Sequence, residues 1–281
     1  MKICNKVEEL EDFLSEFRKQ GKVIGFVPTM GALHSGHLSL VEKCRAECNI
    51  TVASIFVNPL QFNDKNDYNN YPKTLKADSE GLSSAGCDIV FIPDEKEMYP
   101  VRKDVHYDLG LLEEIMEGKH RPGHFQGVAR VVERLFDIVK PDKAYFGAKD
   151  FQQIMVIKRM IAITKQSVEI VICPTKRESD GLAMSSRNMR LNEVQRKSAP
   201  ALYHALSQIP EMLRSNDFKT AESWFFNYID NVPFLKAEYI DVADPDKLEI
   251  IRTPVKGSTY IAFAAVYCGE VRLIDNIFFV M

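Results

Sequence analysis

Two histidines three residues apart, His34 and His37, lie in the run Pro28-Thr29-Met30-Gly31-Ala32-Leu33-His34-Ser35-Gly36-His37. An apolar stretch (residues 22–28) precedes the run, and a helical-period stretch begins near its end. That context points to anion binding. Gly31 and Gly36 let backbone amides approach a ligand closely. The start of a helix offers free N–H groups and the positive end of its dipole. Two imidazoles add donors for phosphate oxygens. From the residues alone, a cap or surface role for the pair stays open. Zinc is not expected, because neither HExxH nor a third ligand accompanies them.

Four further segments carry similar chemistry. Asn58-Pro59-Leu60-Gln61-Phe62 follows a second apolar run, and Phe146-Gly147-Ala148-Lys149-Asp150-Phe151-Gln152-Gln153 follows a third and opens a helix. Lys176 to Asn188 (KRESDGLAMSSRN) joins basic residues to hydroxyls, a set suited to a triphosphate. Residues 117–128 (EGKHRPGHFQGV) read as a long polar loop in which Lys119, His120, Arg121 and His124 could clamp an anion; a plain Pro122-Gly123 turn is an equal reading for His124. Lys149, Gln61 and Gln153 could each be ordinary surface residues.

The elements that must position these groups follow from periodicity. Strands are predicted at 22–28, 50–57, 88–93, 143–146 and 168–173. Between and before them lie helical patterns: one built on Val7, Leu10, Phe13, Leu14 and Phe17, and others from about 37, over 73–85, over 127–139 and over 151–164. Alternation of this kind gives an α/β fold, a Rossmann-like parallel sheet with helices on both faces, over residues 1–174. Ligands of such sheets bind beyond the carboxyl ends of the strands, where the loops named above converge. Residues 175–281 change character: helices at 193–216 and 220–229, then strands at 237–242, 260–268 and 271–280 with a turn at 268–270. This predicts a smaller C-terminal α+β domain that closes over the site.

Composition sets the outer bounds. A 281-residue chain with 46% hydrophobic and 27% charged residues can fill a core, and a net charge of −3 provides no general field for nucleic acid. No signal-peptide core and no run of about 20 apolar residues occurs, so a soluble cytoplasmic chain without membrane partners is expected. The six cysteines show no zinc-type spacing and read as reduced packing residues.

Taken together, the segments PTMGALHSGH, NPLQF, YPKT, EGKHRPGHFQGV, FGAKDFQQ and DGLAMSSRN closely resemble the pantothenate synthetase (pantoate–β-alanine ligase) family. They occur in the family's order over most of residues 24–191. The HxGH element alone marks a wider nucleotidylyltransferase superfamily; the joint set is more specific. The resemblance implies ATP-dependent condensation of D-pantoate with β-alanine through a pantoyl-adenylate, releasing AMP and pyrophosphate, with Mg²⁺, in a cytoplasmic homodimer on the route to coenzyme A. It implies an ATP loop of Met30, Gly31, Ala32, Leu33, His34, Ser35, Gly36 and His37, with His37 the catalytic acid and His34 beside it. Gly147, Ala148, Lys149 and Asp150 match a nucleotide segment in which Lys149 faces phosphate and Asp150 the ribose. Lys176 matches a backbone contact to ATP, and Met184, Ser185, Ser186 and Arg187 the closing phosphate loop. Gln61 and Gln153 match pantoate-binding positions, Gln61 also bordering the β-alanine site. Asn58, Tyr71 and Arg121 match further pocket residues, and Asp78 an acidic position near the metal. Ala148 and Arg130 depart from the common pattern, which has a charged residue and threonine there. The alternatives are another nucleotidylyltransferase of the superfamily, which would retain the nucleotide in its product, and a non-catalytic nucleotide-binding protein.

Overall fold

The computed structural model describes residues 1–101 and 105–281, which divide into two compact units, Met1–Pro174 and Thr175–Met281. The first unit contains strands β1 (Lys2–Cys4), β2 (Ile24–Thr29), β3 (Ile50–Ile55), β4 (Ile89–Phe91), β5 (Lys143–Gly147) and β6 (Glu169–Cys173). Its helices are α1 (Val7–Lys19), α2 (Ser35–Glu47), α3 (Lys65–Asn69), α4 (Leu75–Ser84), α5 (Glu95–Met98), α6 (Met116–His120), α7 (His124–Val139) and α8 (Phe151–Thr164).

All pairings in this sheet are parallel, in the order β1-β4-β3-β2-β5-β6. The chain moves outward from β2 to β3 and β4, then returns to β5 on the other side of β2. That reversal opens a crevice beyond the carboxyl ends of β2 and β5. Alternate strand residues serve the two faces. Val27, Ala53, Ile55, Val90 and Tyr145 pack with Leu40, Val41, Cys44 of α2 and Leu82 of α4. Phe26 meets Phe136 of α7 edge-to-face, centroids 6.3 Å apart, on the other side. The fold expected from the alternating pattern is thus present, with β1 added at the edge beside β4.

The second unit holds α9 (Glu193–Ser198), α10 (Ala201–Ser215), α11 (Phe218–Asp230) and an antiparallel sheet of β7 (Leu235–Ala243), β8 (Thr259–Cys268) and β9 (Val271–Val280). Leu202, Leu206 and Ile209 of α10 and Phe225 and Ile229 of α11 bury against Ile240, Val242, Ala262 and Ala264 of the sheet. The helix expected over 193–216 is two helices, because Ala199 and Pro200 end α9 and start α10. No helix among the described residues is long and apolar enough to cross a membrane.

Candidate active site

The loop after β2 is a tight structure with its own anchor. Gly31 has φ +79°, and a Cβ there would lie 3.1 Å from Asp78 Oδ2, so both conformation and space call for glycine. Ala32 also has positive φ, at +50°, a conformation that costs an L-residue about 1 kcal/mol or more. Asp78, buried on α4, holds the loop in place. Its Oδ2 accepts from Ala32 N at 3.0 Å and its Oδ1 from Leu33 N at 2.8 Å and Thr74 Oγ1 at 3.0 Å. Thr29 Oγ1 adds a brace, accepting from Gly31 N at 3.2 Å and donating to Ser54 O at 2.6 Å.

His34 is the N-cap of α2: its Nδ1 accepts from Gly36 N at 3.2 Å. His37 Nδ1 accepts from His34 N at 3.4 Å. The two rings stand 4.1 Å apart, centroid to centroid. Cap and ligand-facing roles are therefore compatible, because each ring spends only Nδ1 on the backbone and carries its proton on Nε2. Burial pushes His34 down to about 4, assisted by the Lys149 cation and opposed by Asp150. His37 is pushed down to about 3 by burial, then by His34 and Lys149. Both imidazoles are thus neutral donors near pH 7, and the fixed positive charge beside them is Lys149. Its side chain is only 15% exposed, with Nζ 3.4 Å from Asp150 Oδ1. The first turn of α2 contains no acidic residue, so its N-terminus keeps its positive field, whereas the N-cap of α8 is Asp150, whose carboxylate offsets the dipole there.

On the β3 side, Asn58 and Gln61 are the buried residues of a short turn whose Leu60 is exposed. Asn58 Oδ1 accepts from Leu60 N at 3.2 Å and Tyr99 Oη at 3.0 Å, while Nδ2 donates to Gln61 Oε1 at 3.3 Å and Gly127 O at 3.1 Å. Asn58 therefore orients Gln61, whose Nε2 rests on Met30 Sδ at 2.9 Å. A thioether is a weak acceptor, so the carboxamide has more to gain from a hydroxyl or carboxylate oxygen. Met30 also lines a cavity of about 350 Å³ shared with Phe56, Pro59, Tyr68, Lys73 and Asp78, a volume in the range of small-ligand sites.

The segment 117–128 departs from expectation. It is not a polar loop but α6, a short turn and the first residues of α7, with Glu117, Gly118 and His124 buried. Arg121 Nη1 donates to His124 Nε2 at 3.1 Å, which leaves His124 Nδ1–H to donate to Gln61 O at 2.7 Å. Arg121 also lies 3.6 Å from Glu117. Tyr71 is buried against Phe62, centroids 5.8 Å apart. The adjacent glutamines of α8 differ. Gln152 is consumed by Leu112 O, Ile115 O and Glu117 N, whereas the side chain of the half-buried Gln153 makes no hydrogen bond among the described residues.

Asp78, expected near a metal, lies beneath the loop after β2. Both of its oxygens are engaged by the loop and Thr74, and no group of three His, Cys, Asp or Glu side chains that could hold a metal gathers among the described residues. Asp78 is an anchor of the loop. Sequence reading missed Thr29, Tyr99 and Gln152 as supports; only Thr29, a hydroxyl two residues before a glycine, left a local turn signal.

In the second unit, Lys176 is exposed, with its carbonyl accepting from Met184 N at 3.0 Å. Ser185 caps the next turn through Arg187 N at 3.3 Å, and Ser186 is buried.

The family model described as pantoate-beta-alanine ligase matches residues 2–278. The chain belongs to that family. A pantothenate synthetase of Porphyromonas gingivalis is 48% identical over 277 residues, 99% of each chain, and one of Cytophaga hutchinsonii 45% identical over 98% of each. Among solved structures, a pantothenate synthetase of Thermus thermophilus is 43% identical with TM-score 0.88, covering 99% of both chains. A pantoate-beta-alanine ligase of Francisella tularensis, complexed with beta-gamma ATP and beta-alanine, is 37% identical with TM-score 0.79 and covers 99% of this chain and 97% of that one.

Proposed function

We infer that this pantoate–β-alanine ligase family member condenses D-pantoate with β-alanine, using ATP and releasing AMP and pyrophosphate. The observation that carries the reading is a continuity within one loop. Its Met30 end touches the carboxamide of Gln61, and its His34–His37 end opens a helix beside Lys149. Adenylation needs that arrangement, because a carboxylate held by amides must meet the α-phosphorus of a triphosphate. The ATP and β-alanine in the Francisella complex support the same substrates here.

In the first step a pantoate carboxylate oxygen attacks the α-phosphorus, the bond to the β-phosphate oxygen breaks, and pyrophosphate leaves. Two anions are brought together, so the protein supplies fixed positive potential: Lys149 and the N-terminus of α2. His34 and His37 contribute Nε2–H donors rather than charge in the free protein. In the second step the neutral amine attacks the acyl carbon, AMP departs with the bonding electrons, and the nitrogen loses a proton. Alignment and electrostatic preorganisation provide the acceleration, with no protein nucleophile.

The residue roles are proposals of the same reading. ATP is assigned to Met30–His37, Gly147–Asp150, Lys176 and Met184–Arg187; pantoate to Gln61 and Gln153; the β-alanine border to Gln61; and further pocket roles to Asn58, Tyr71 and Arg121. Mg²⁺ is assigned to the substrate complex, held largely by phosphates and water, with Asp78 the acidic position that the resemblance puts near it. Calorimetry detecting tight Mg²⁺ binding without nucleotide would contradict this. A cytoplasmic homodimer is proposed from the family resemblance; light scattering that shows a stable monomer at micromolar concentration would remove the dimer, and recovery in a membrane fraction the location. The deciding experiment is mass spectrometry of products from ATP, pantoate and β-alanine. Equal amounts of pantothenate, AMP and pyrophosphate are expected. A product retaining the nucleotide, or ADP with phosphate, overturns the reading.

A further inference from the structure

The segment 176–188 is a built hairpin within the second unit. Arg177 and Ala183 bridge antiparallel, Glu178 N donates to Leu182 O at 2.9 Å, and Met184 N to Lys176 O at 3.0 Å. Asn188 Nδ2 then ties the following turn to Ala183 O at 3.0 Å. Lys176 and Met184 are therefore partners at the open end of one hairpin, with Ser185–Arg187 directly after it.

Leu182 packs this hairpin into the core of its unit and Arg196 of α9 donates to Asp180 Oδ2 at 2.6 Å, but the densest set of polar contacts is made by one side chain. Arg177 Nη1 donates to Asp275 Oδ2 at 2.6 Å and Gly181 O at 3.1 Å; Nη2 donates to Asp275 Oδ1 at 3.0 Å and Asn276 O at 3.1 Å. The guanidinium lies 3.9 Å from the centre of the Tyr203 ring on α10. The same ring fits against the hairpin turn: Gly181 has φ +90°, and a Cβ there would be 2.3 Å from Tyr203 Cδ1. Asp275 is buried on β9. The brace thus joins β9, α10 and the hairpin turn.

We propose that Arg177 and Asp275 are positioning residues for adenylation, fixing the hairpin so that Lys176 and Met184–Arg187 are preorganised for the triphosphate. The proposal rests on the assignment of that segment to ATP. Lysine cannot replace Arg177, because one ammonium cannot meet two carboxylate oxygens and two carbonyls in a plane while stacking on a ring. A displacement of about 1 Å in a positioning element costs on the order of 100-fold in rate.

The test compares Arg177→Lys, Asp275→Asn and Tyr203→Leu in the full chain. Pantoyl-adenylate formation, KM for ATP, transfer from supplied adenylate to β-alanine and thermal midpoint are measured for each. The first two variants should slow adenylate formation by about 100-fold and raise KM for ATP, with transfer and KM for β-alanine within about twofold of the parent on the same argument. Tyr203→Leu keeps the ion pair and should move the same quantities by a smaller factor. Folded variants with unchanged KM for ATP, equal losses in both half-reactions, or failure of Arg177→Lys to fold would each overturn the proposal. Arg187→Ala leaves the brace intact and tests the assignment beneath it. If Arg187→Ala leaves adenylation unchanged, the segment does not serve ATP. If it slows adenylation and Arg177→Lys does not, the brace alone is wrong.

Discussion

The loop after β2 and the hairpin 176–188 are both held by a buried carboxylate, Asp78 in one and Asp275 in the other, and the manner of holding differs. Asp78 accepts directly from the backbone of the loop it anchors and from a hydroxyl. Asp275 acts at one remove, through a guanidinium that also grips two carbonyls and a ring. A buried carboxylate must be met by donors or a cation. Using neutral donors at Asp78 makes the anchor part of the loop, so losing it undoes the loop itself. Arg177 leaves the hairpin's backbone ladder to itself and adds one bond to Gly181 O and its grip on β9, so losing the brace loosens a hairpin whose ladder persists.

The largest effects should fall on the groups these segments present rather than on their anchors. Lys149→Ala and His37→Ala should each lower the rate of adenylate formation by about 100- to 1000-fold, the usual cost of one preorganised donor at developing charge. Thermal midpoints should stay near the parent, because both side chains stand at helix starts outside the core cluster. Single-turnover formation of pantoyl-adenylate is the measurement. A variant that forms the adenylate normally and fails in transfer would move that residue to the second step.

Asp78→Ala should come next, and it sharpens the contrast because it should lower stability and adenylation together. It orphans the N–H groups of Ala32 and Leu33, at about 1–3 kcal/mol for each buried donor left unpaired. Asp78→Asn should recover only part of the loss, since its NH₂ must face a backbone N–H that the carboxylate accepted. Urea unfolding alongside ATP titration reads both quantities. Full stability with lost ATP binding would make Asp78 a ligand group after all.

Much of this arrangement was legible where punctuation is local. The Gly31 and Gly36 positions and the following helical period marked the loop and α2, and the apolar runs marked β2, β3 and β5. Edge strand β1 was not, because three residues, Lys2–Cys4, carry too little pattern and owe their pairing to β4. The 117–128 segment read as a loop because Pro122-Gly123 and its charges dominate it. In the structure Glu117, Gly118 and His124 are buried by tertiary packing. The residues named for chemistry came from spacing and resemblance, whereas their supports did not. Asp78 lies 46 residues from Ala32, and Asp275 lies 98 from Arg177, so no window of sequence contains either anchor with what it holds.

The smallest effect separates the two regions by pH. The first loop contains two imidazoles held at about 4 and about 3, against 6.5 when unfolded. A base with a depressed folded pKa binds fewer protons folded than unfolded, so stability falls as pH drops below 6.5 and levels off only near the folded values. Each imidazole contributes a slope of about 1.4 kcal/mol per pH unit in that window and nothing above it. The hairpin behaves oppositely in range: Arg196 holds Asp180 below its ordinary 3.8, so that contribution persists until pH falls beneath that value. Lowering pH from 7 to 5 therefore loads the first loop and leaves the hairpin pair in place. Replacing His37 with Gln, which cannot protonate, should shrink the loss of stability between pH 7 and 5 measured by urea unfolding, and Asp180→Asn should not. Equal acid losses in the parent and His37→Gln would mean that His37 is not held neutral, and the loop would then bring a cation, rather than a donor, to the triphosphate.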